Sequence, residues 1–383
     1  MADKYAEAGV DTAAGDLAVE LMKSAVSATH GPRVVGGVGG FAGLFDVSFL
    51  TSFQRPLLAT STDGVGTKVA IAQVIDKHDT IGIDLVGMVV DDIIVVGATP
   101  LFMTDYIACG KVVPSRIADI VAGIARGCSE TATALVGGET AEHPGLLAPD
   151  DYDVAGAATG AVEAGAQLGA HLVVNGDVVI ALESSGLHSN GFSLVRQIVR
   201  QAKVSYLDRS AELGGLVGEL LLEPTRLYTV PLLGLISDAP GVVHALSHVT
   251  GGGIAANLAR VLPVGSWVEL ERSTWSPAPV FRVLADWGSL RLEEVEGTWN
   301  LGIGMIAVVE AASAGTVIAH LAASGIPAWT LGVVSTMPHD NAGVDSPPAR
   351  PGDSSARSGL ADWVQGAKGV DGGAVRLVGR YRD

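Results

Sequence analysis

Thr62-Asp63-Gly64-Val65-Gly66-Thr67-Lys68 follows directly on a short apolar run, Pro56-Leu57-Leu58-Ala59-Thr60. The run reads as a buried strand, bounded by Pro56 and by the glycines beyond it. The turn after it gathers a carboxylate, two glycines, a hydroxyl and an ammonium in seven residues. Glycines let backbone N–H groups come close to an oxyanion. A lysine offers phosphate a point charge, and an aspartate holds a hard cation. These are the parts of a nucleotide-phosphate and Mg2+ site, although the G-x-x-x-x-G-K-[ST] spacing of a P-loop is absent. The same residues also suit a tight turn with a solvated Asp63 and Lys68.

The chain around this stretch has 383 residues, room for two domains with their own cores. Hydrophobic residues make up 48% and charged residues 17%, as in a globular protein. A net charge of −17 argues against nucleic acid or an anionic membrane as partner. An acidic chain still binds an anionic nucleotide when Mg2+ and local donors do the work. Cys109 and Cys128 give no disulfide framework and no metal-ligand spacing, and read as reduced core thiols. The N-terminus lacks an apolar signal core. The most apolar stretch, 81–103, is interrupted by Asp84, Asp91, Asp92 and Pro100, so it is no membrane span. A cytosolic protein is expected.

Outward from the Asp63 turn, Asp11 to Thr29 reads as a helix with Asp11 or Thr12 as cap and Gly31-Pro32 as its stop. A glycine loop follows, Gly36 to Gly43. Its spacing resembles a dinucleotide fingerprint, but Leu44 to Phe49 after it reads as a strand rather than the required helix. Thr80 to Gly97 reads as an apolar helix, Leu101 to Ala108 as a strand, and Ser115 to Thr131 as a helix opened by a Ser cap. Ala134 to Val136 is a short strand running into Gly137-Gly138-Glu139-Thr140, and Tyr152 to Val162 is another strand. Without strict βαβ regularity the pattern favours α+β packing. Near residue 165 the composition turns small and permissive, and a second α/β unit starts with a strand at Asp177 to Leu182. Pro338 to Ser358, rich in Pro, Ser, Gly, Asp and Ala, reads as a disordered linker, with one returning strand in 374–381.

The acidic cluster carries the chemistry. Asp84 and Asp91 are seven apart, hence on one face of the 80–97 helix, with Asp92 beside them. Unpaired carboxylates in so apolar a helix would cost several kcal/mol, and the segment offers almost no cation. Asp63 and Glu139 lie at similar glycine-rich strand ends. Convergence of these acids suggests Mg2+ with nucleotide phosphates; helix capping plus solvated surface acids is the alternative. Thr250-Gly251-Gly252-Gly253 opens a helix and would present amides to an anion, or serve only as a flexible joint. His188-Ser189-Asn190-Gly191 also opens a helix, and its histidine suits a structural role as well as a functional one.

In this order the text resembles the aminoimidazole ribonucleotide synthetase family, the phosphoribosylformylglycinamidine cyclo-ligases. The carrying stretches are 5–11, Gly39-Gly40-Phe41, 61–68, 78–86, 137–142, 151–156, 186–191, Glu223-Pro224-Thr225-Arg226 and 250–253. The resemblance implies a two-domain α+β protomer. An N-terminal domain, 1–165, would bind ATP and form a homodimer. A C-terminal domain, 166–336, would complete the cleft on the substrate side, and 337–383 would be linker and tail. The implied reaction closes the imidazole ring of formylglycinamidine ribonucleotide. ATP phosphorylates the formyl oxygen, the amidine-side nitrogen attacks that carbon, and phosphate leaves, which asks for positioning and charge neutralisation more than a protein nucleophile.

By position the resemblance gives Asp63, Asp92 and Glu139 to Mg2+, with Asp91 as a fourth ligand. It gives Gly64, Gly66, Thr67 and Lys68 to the phosphates, and Lys23, Gly39, Gly40 and Phe41 to the nucleotide. His188, Ser189, Asn190, Thr250, Gly251, Gly252 and Gly253 would face the ribonucleotide, and Asp63, Lys68 and His188 would be catalytic. Asp91 stands where the family often has Asn, His143 stands in place of a frequent Met, and the tail beyond Met337 is outside the familiar core. The competing readings are another ATP-dependent enzyme of the superfamily, formylglycinamidine synthetase-like or thiamine-monophosphate kinase-like, and a silent nucleotide-binding protein. The His188–Gly191 and His78-Asp79-Thr80 contexts favour the cyclo-ligase over the first. The presence of Lys68 and the acids disfavours the second.

Overall fold

The structure, a computed structural model, describes residues 11–336 and 363–382. Residues 5–10 of the N-terminal motif and the 338–358 stretch read as a linker lie outside them. The chain gathers into two compact units, Met1–Gln167 with His188–Val230, and Leu168–Leu187 with Pro231–Asp383. The expected boundary near residue 165 falls beside the first crossing. Residues 188–230, expected in the second domain, return instead to the first unit, because buried carboxylates there find their partners in this segment.

In the first unit, α1 (Thr12–Ala28) is capped by Asp11, whose Oδ1 accepts the Ala14 N–H at 3.0 Å. Helix α2 (Ile81–Val95) is buried except at Asp92 and Val95. Helix α3 (Pro114–Glu130) opens on Pro114 with no side-chain cap, so Ser115 does not serve as one; the fixed φ of proline starts the helix instead. Helix α4 (Phe192–Gln201) belongs to the returning segment. Four strands, β1 (Pro56–Gly64), β2 (Thr99–Cys109), β3 (Ala134–Glu142) and β4 (Tyr152–Glu163), form a sheet in the order β1-β4-β2-β3. The β2–β3 pair is parallel and the others antiparallel.

Two strands outrun their sequence signals. Strand β1 continues to Gly64 and so carries Asp63 itself. Strand β3 does not stop before Gly137-Gly138-Glu139 but runs through it, because β2 supplies a parallel ladder on that side. Its register slips between Met103 and Thr104, which makes Val136 an extra residue on β3. The strand expected over Leu44–Phe49 is only Leu44–Phe45, paired with Val34–Val35, and a 3-10 turn occupies Ser48–Ser52.

The second unit has a sheet of β5 (Val178–Glu183), β6 (Val243–His248), β8 (Ile303–Val309) and β9 (Ala328–Val333), in the antiparallel order β6-β8-β5-β9. A further sheet pairs β7 (Ser266–Glu271) in parallel with β11 (Val370–Val378), and β11 antiparallel with β10 (Val364–Ala367). Val179, Ala181, Val268, Leu270, Ile306 and Val375 share one core with Leu258 of α5 (Gly253–Ala259). The tail beyond Met337 therefore contributes a core strand, longer and earlier than the 374–381 strand expected. No helix among the described residues is long and apolar enough to cross a membrane.

Candidate active site

Lys68 sits on a 3-10 turn just past β1 and is fully buried. Its Nζ donates to Asp84 Oδ1 at 2.8 Å, to the His188 carbonyl at 2.9 Å and to the Glu223 carbonyl at 2.7 Å. An ammonium has three protons, and all three are taken. Burial pulls the Lys68 pKa down and the Asp84 pKa up, each opposed by attraction to the other. Lys68 is therefore not the phosphate-binding or catalytic lysine expected; it clips α2 to the returning segment. Asp84 also accepts from the Thr225 N–H at 2.9 Å and the Thr225 hydroxyl at 2.7 Å. Asp91, seven residues on, is fully buried and accepts the Thr229 hydroxyl at 2.8 Å and the Tyr228 N–H at 3.3 Å. The shared helix face was read correctly, but what it meets is Lys68 and residues 223–229 rather than a metal ion. Asp91 is spent on that contact and is withdrawn as a metal ligand. Gly87 lies between the two acids, and a Cβ there would come 2.6 Å from Thr225 Cγ2, so the helix is notched where the segment seats.

The other three expected ligands, Asp63, Asp92 and Glu139, are exposed. Register places Asp63, Gly156, Asp105 and Gly138 in one row across the four strands, while Glu139 pairs with Tyr106 in the next row. Alternation along a strand sends successive rows to opposite faces of the sheet. Asp63 and Glu139 thus start on different faces. Among the described residues no group of three or more His, Cys, Asp or Glu side chains gathers where a metal ion could sit. Asp63 Oδ1 accepts the Gly64 N–H at 2.7 Å. Gly66 has a φ of +71°, and the exposed Thr67 hydroxyl lies 3.2 Å from that of Ser193 on α4.

A cavity of about 330 Å³ opens between α1 and the sheet. Helix α1 is tied to β3 at both ends. The Asp11 N–H donates to Glu142 Oε2 at 2.6 Å, the Leu135 N–H donates to the Thr29 hydroxyl at 3.0 Å, and His30 Nε2 meets the Leu135 carbonyl at 2.8 Å. Between these ties Gly15 and Ala18 on the helix and Gly137 and Gly138 on the strand lack bulk, and the space stays open. Gly39 and Gly40, expected at the nucleotide, line it, as does Glu139, expected at Mg2+; Met22 lines it while its neighbour Lys23 points to solvent, 4.0 Å from Glu20. Phe41 is fully exposed. The wall also holds Asp105, which sequence reading passed over. Burial pushes its carboxyl up to about 7. Its signal was a charge at the core-facing parity of Leu101-Phe102-Met103-Thr104-Asp105-Tyr106-Ile107.

His188 is buried with a φ of +60°, and its ring centroid lies 6.2 Å from that of Tyr228. Ser189 is buried beside it, and Asn190 Nδ2 donates to Met88 Sδ at 3.5 Å. These three residues stand in the first unit, Thr250 to Gly253 in the second. Gly252 has a φ of +106°, which favours glycine. The Gly253 N–H already donates to the Thr250 carbonyl at 3.0 Å, and a Cβ there would fall 1.6 Å from the Glu296 carbonyl oxygen. Gly253 is thus a packing residue, which leaves Gly251 and Gly252 as the turn's candidates for an anion.

Two family descriptions match the chain: "AIR synthase related protein, N-terminal domain" over residues 48–162 and "AIR synthase related protein, C-terminal domain" over 174–345. The phosphoribosylformylglycinamidine cyclo-ligase of Geobacillus kaustophilus is 47% identical over 336 residues, covering 88% of this chain and 96% of that protein. The protein of the same name from Synechocystis is 44% identical over 331 residues, covering 86% and 96%. Among solved structures, Escherichia coli HypE, a hydrogenase maturation protein, shares the fold with a TM-score of 0.59 at 21% identity, covering 86% of this chain and 91% of that one. Thiamine-monophosphate kinase from Stenotrophomonas maltophilia does so with a TM-score of 0.57 at 16% identity, covering 83% and 94%. The ordered motifs, the α+β architecture and the matches over most of the chain agree, and the chain belongs to the aminoimidazole ribonucleotide synthetase family, the phosphoribosylformylglycinamidine cyclo-ligases.

Proposed function

We propose that this chain closes the imidazole ring of formylglycinamidine ribonucleotide with ATP, and that the cavity under α1 takes the nucleotide. The observation that carries this is the meeting of two separately recognised sequence features, the Gly36–Gly43 loop and the Gly137–Glu139 strand, on one cavity. Transfer of the γ-phosphoryl group to the formyl oxygen converts a poor leaving group into phosphate. The amidine-side nitrogen then attacks the formyl carbon. The chain's part is to hold both substrates in line, with the amide of Gly66 and the Thr67 hydroxyl at the phosphates. Gly251 and Gly252 serve the ribose phosphate.

Mg2+ belongs to this reading, and one or two of the exposed acids Asp63, Asp92 and Glu139 would hold it with the phosphates. It keeps several waters and needs only one or two carboxylates beside phosphate oxygens, which suits exposed acids better than a closed protein cage. It supplies charge neutralisation at the phosphates. The protein is a cytoplasmic homodimer formed through its first unit, consistent with the exposed Leu58 on β1 and Tyr106 on β2. The test is a turnover assay of the full chain. Aminoimidazole ribonucleotide and ADP should form together only when ATP and formylglycinamidine ribonucleotide are both present. Phosphorylation of thiamine monophosphate in its place, or ATP binding with no ring closure, would overturn the reading.

A further inference from the structure

Asp105 is a half-buried acid without an assignment. It lies on β2 at the floor of the cavity, in register with Gly138 on β3 and Gly156 on β4. A Cβ on Gly138 would fall 2.0 Å from Asp105 Oδ1, so the neighbouring strand leaves the carboxyl its space. No hydrogen bond or ion pair to it is found among the described residues, whereas Asp84 and Asp91 nearby in the same unit are both satisfied. Around it the cavity is apolar: Ala18, Met22 and Val26 from α1, Val121 from α3, and Leu135. Of the two acids on the wall, Glu139 is exposed, and no cation lines the cavity among the described residues. A cavity with aliphatic side chains on its walls and one unpartnered acceptor at its floor suits a heteroaromatic ring carrying an N–H2 group. It does not suit a phosphate, which the carboxyl would repel.

We propose that the cavity holds the adenine ring of ATP and that the Asp105 carboxylate accepts a hydrogen bond from the exocyclic N6 amine, so that Asp105 selects adenine over guanine. Adenine presents a donor there, and guanine presents the O6 carbonyl, an acceptor. A carboxylate meeting O6 would leave two acceptors facing each other between aliphatic walls, which is how buried polar groups exclude the wrong ligand. A carboxyl held near neutrality by burial alone gains a partner when the amine arrives. This inference rests on the reading that ATP enters the cavity, and its test separates the two.

Binding of ATP, GTP and purine riboside triphosphate to the full chain is measured by calorimetry with Mg2+ and without ribonucleotide. Wild type should bind ATP at least ~100-fold more tightly than GTP and at least ~10-fold more tightly than the amine-free analogue, the scale of a strong charge-assisted hydrogen bond. In D105N the carboxamide can turn its N–H2 toward O6, and the ATP-to-GTP ratio should fall by at least ~10-fold. Equal binding of ATP and GTP by wild type, or an unchanged ratio in folded D105N, overturns the inference. A second variant, M22W, fills the cavity from α1. If folded M22W still binds ATP with wild-type affinity, the nucleotide is not in the cavity and the wider reading fails. If M22W loses ATP while D105N keeps the wild-type ratio, only the role of Asp105 is lost.

Discussion

Lys68 shows how far a residue's chemistry can be read without its surroundings. Its place after a glycine turn marked it for phosphate, and the burial that occupies all three of its protons depends on carbonyls 120 and 155 residues away in sequence. No local pattern encodes such partners. Removing one member of a buried pair leaves an uncompensated charge, at a cost of about 3–5 kcal/mol. K68M should therefore lose stability on that scale in urea titrations while its folded fraction binds ATP with unchanged affinity; weaker ATP binding at full stability would return Lys68 to the phosphates. Asp63 is the opposite case. It is exposed at the end of β1, so D63N should keep the wild-type melting temperature and lower turnover by at least ~10²-fold, the scale of a charge-stabilising group. Wild-type kinetics in D63N would remove it from the site. The exposure of Asp63 was legible because the strand end and glycines around it are local in sequence. Asp105 was not, because its meaning comes from Gly138 and α1, brought to it by the sheet.

Helix α2 was legible as an element, down to the face shared by Asp84 and Asp91, since a period of 3.6 fixes which side chains align. What that face meets was not legible, because the Thr225 and Thr229 hydroxyls and the backbone N–H groups that bond its two acids lie more than 130 residues on and leave no local pattern. The fit turns on Gly87. Thr225 cannot swing its methyl away from a new Cβ without giving up the hydroxyl contact to Asp84. G87A should cost about 1–3 kcal/mol, as overpacking does. Adding T225S keeps the hydroxyl and deletes the methyl, so the double variant should recover most of the loss in thermal melts. An additive double variant would mean that the notch is not what seats the segment. Strand β3 failed in sequence for a related reason. Gly137-Gly138 reads as a turn in isolation, and only the parallel ladder from β2 makes it a strand.

At the scale of the whole molecule, the α+β class and two units were readable from the mixed periodicities and the change in composition near residue 165. The return of residues 188–230 was not, since nothing in a linear text marks a segment as belonging to what came before. The proposed homodimer should sediment as such at micromolar concentration; a monomer keeping full turnover on dilution would contradict it. The first unit's divided layout also bears on how the chain is made. A ribosome releases residues 1–167 long before Glu223, Thr225 and Thr229 emerge, so burial in that interval would leave the Lys68–Asp84 pair without its carbonyl and Thr225 contacts and Asp91 without Tyr228 and Thr229. The nascent first unit must stay open, or held by a chaperone, until about residue 230 has cleared the exit tunnel. A fragment ending at Gln167 should accordingly be recovered as protease-sensitive chain, and stalled nascent chains should turn resistant only when the stall lies beyond the returning segment. Strand β5, an interior strand of the second unit's sheet, is synthesised inside that waiting period, so neither unit can finish before the other has begun.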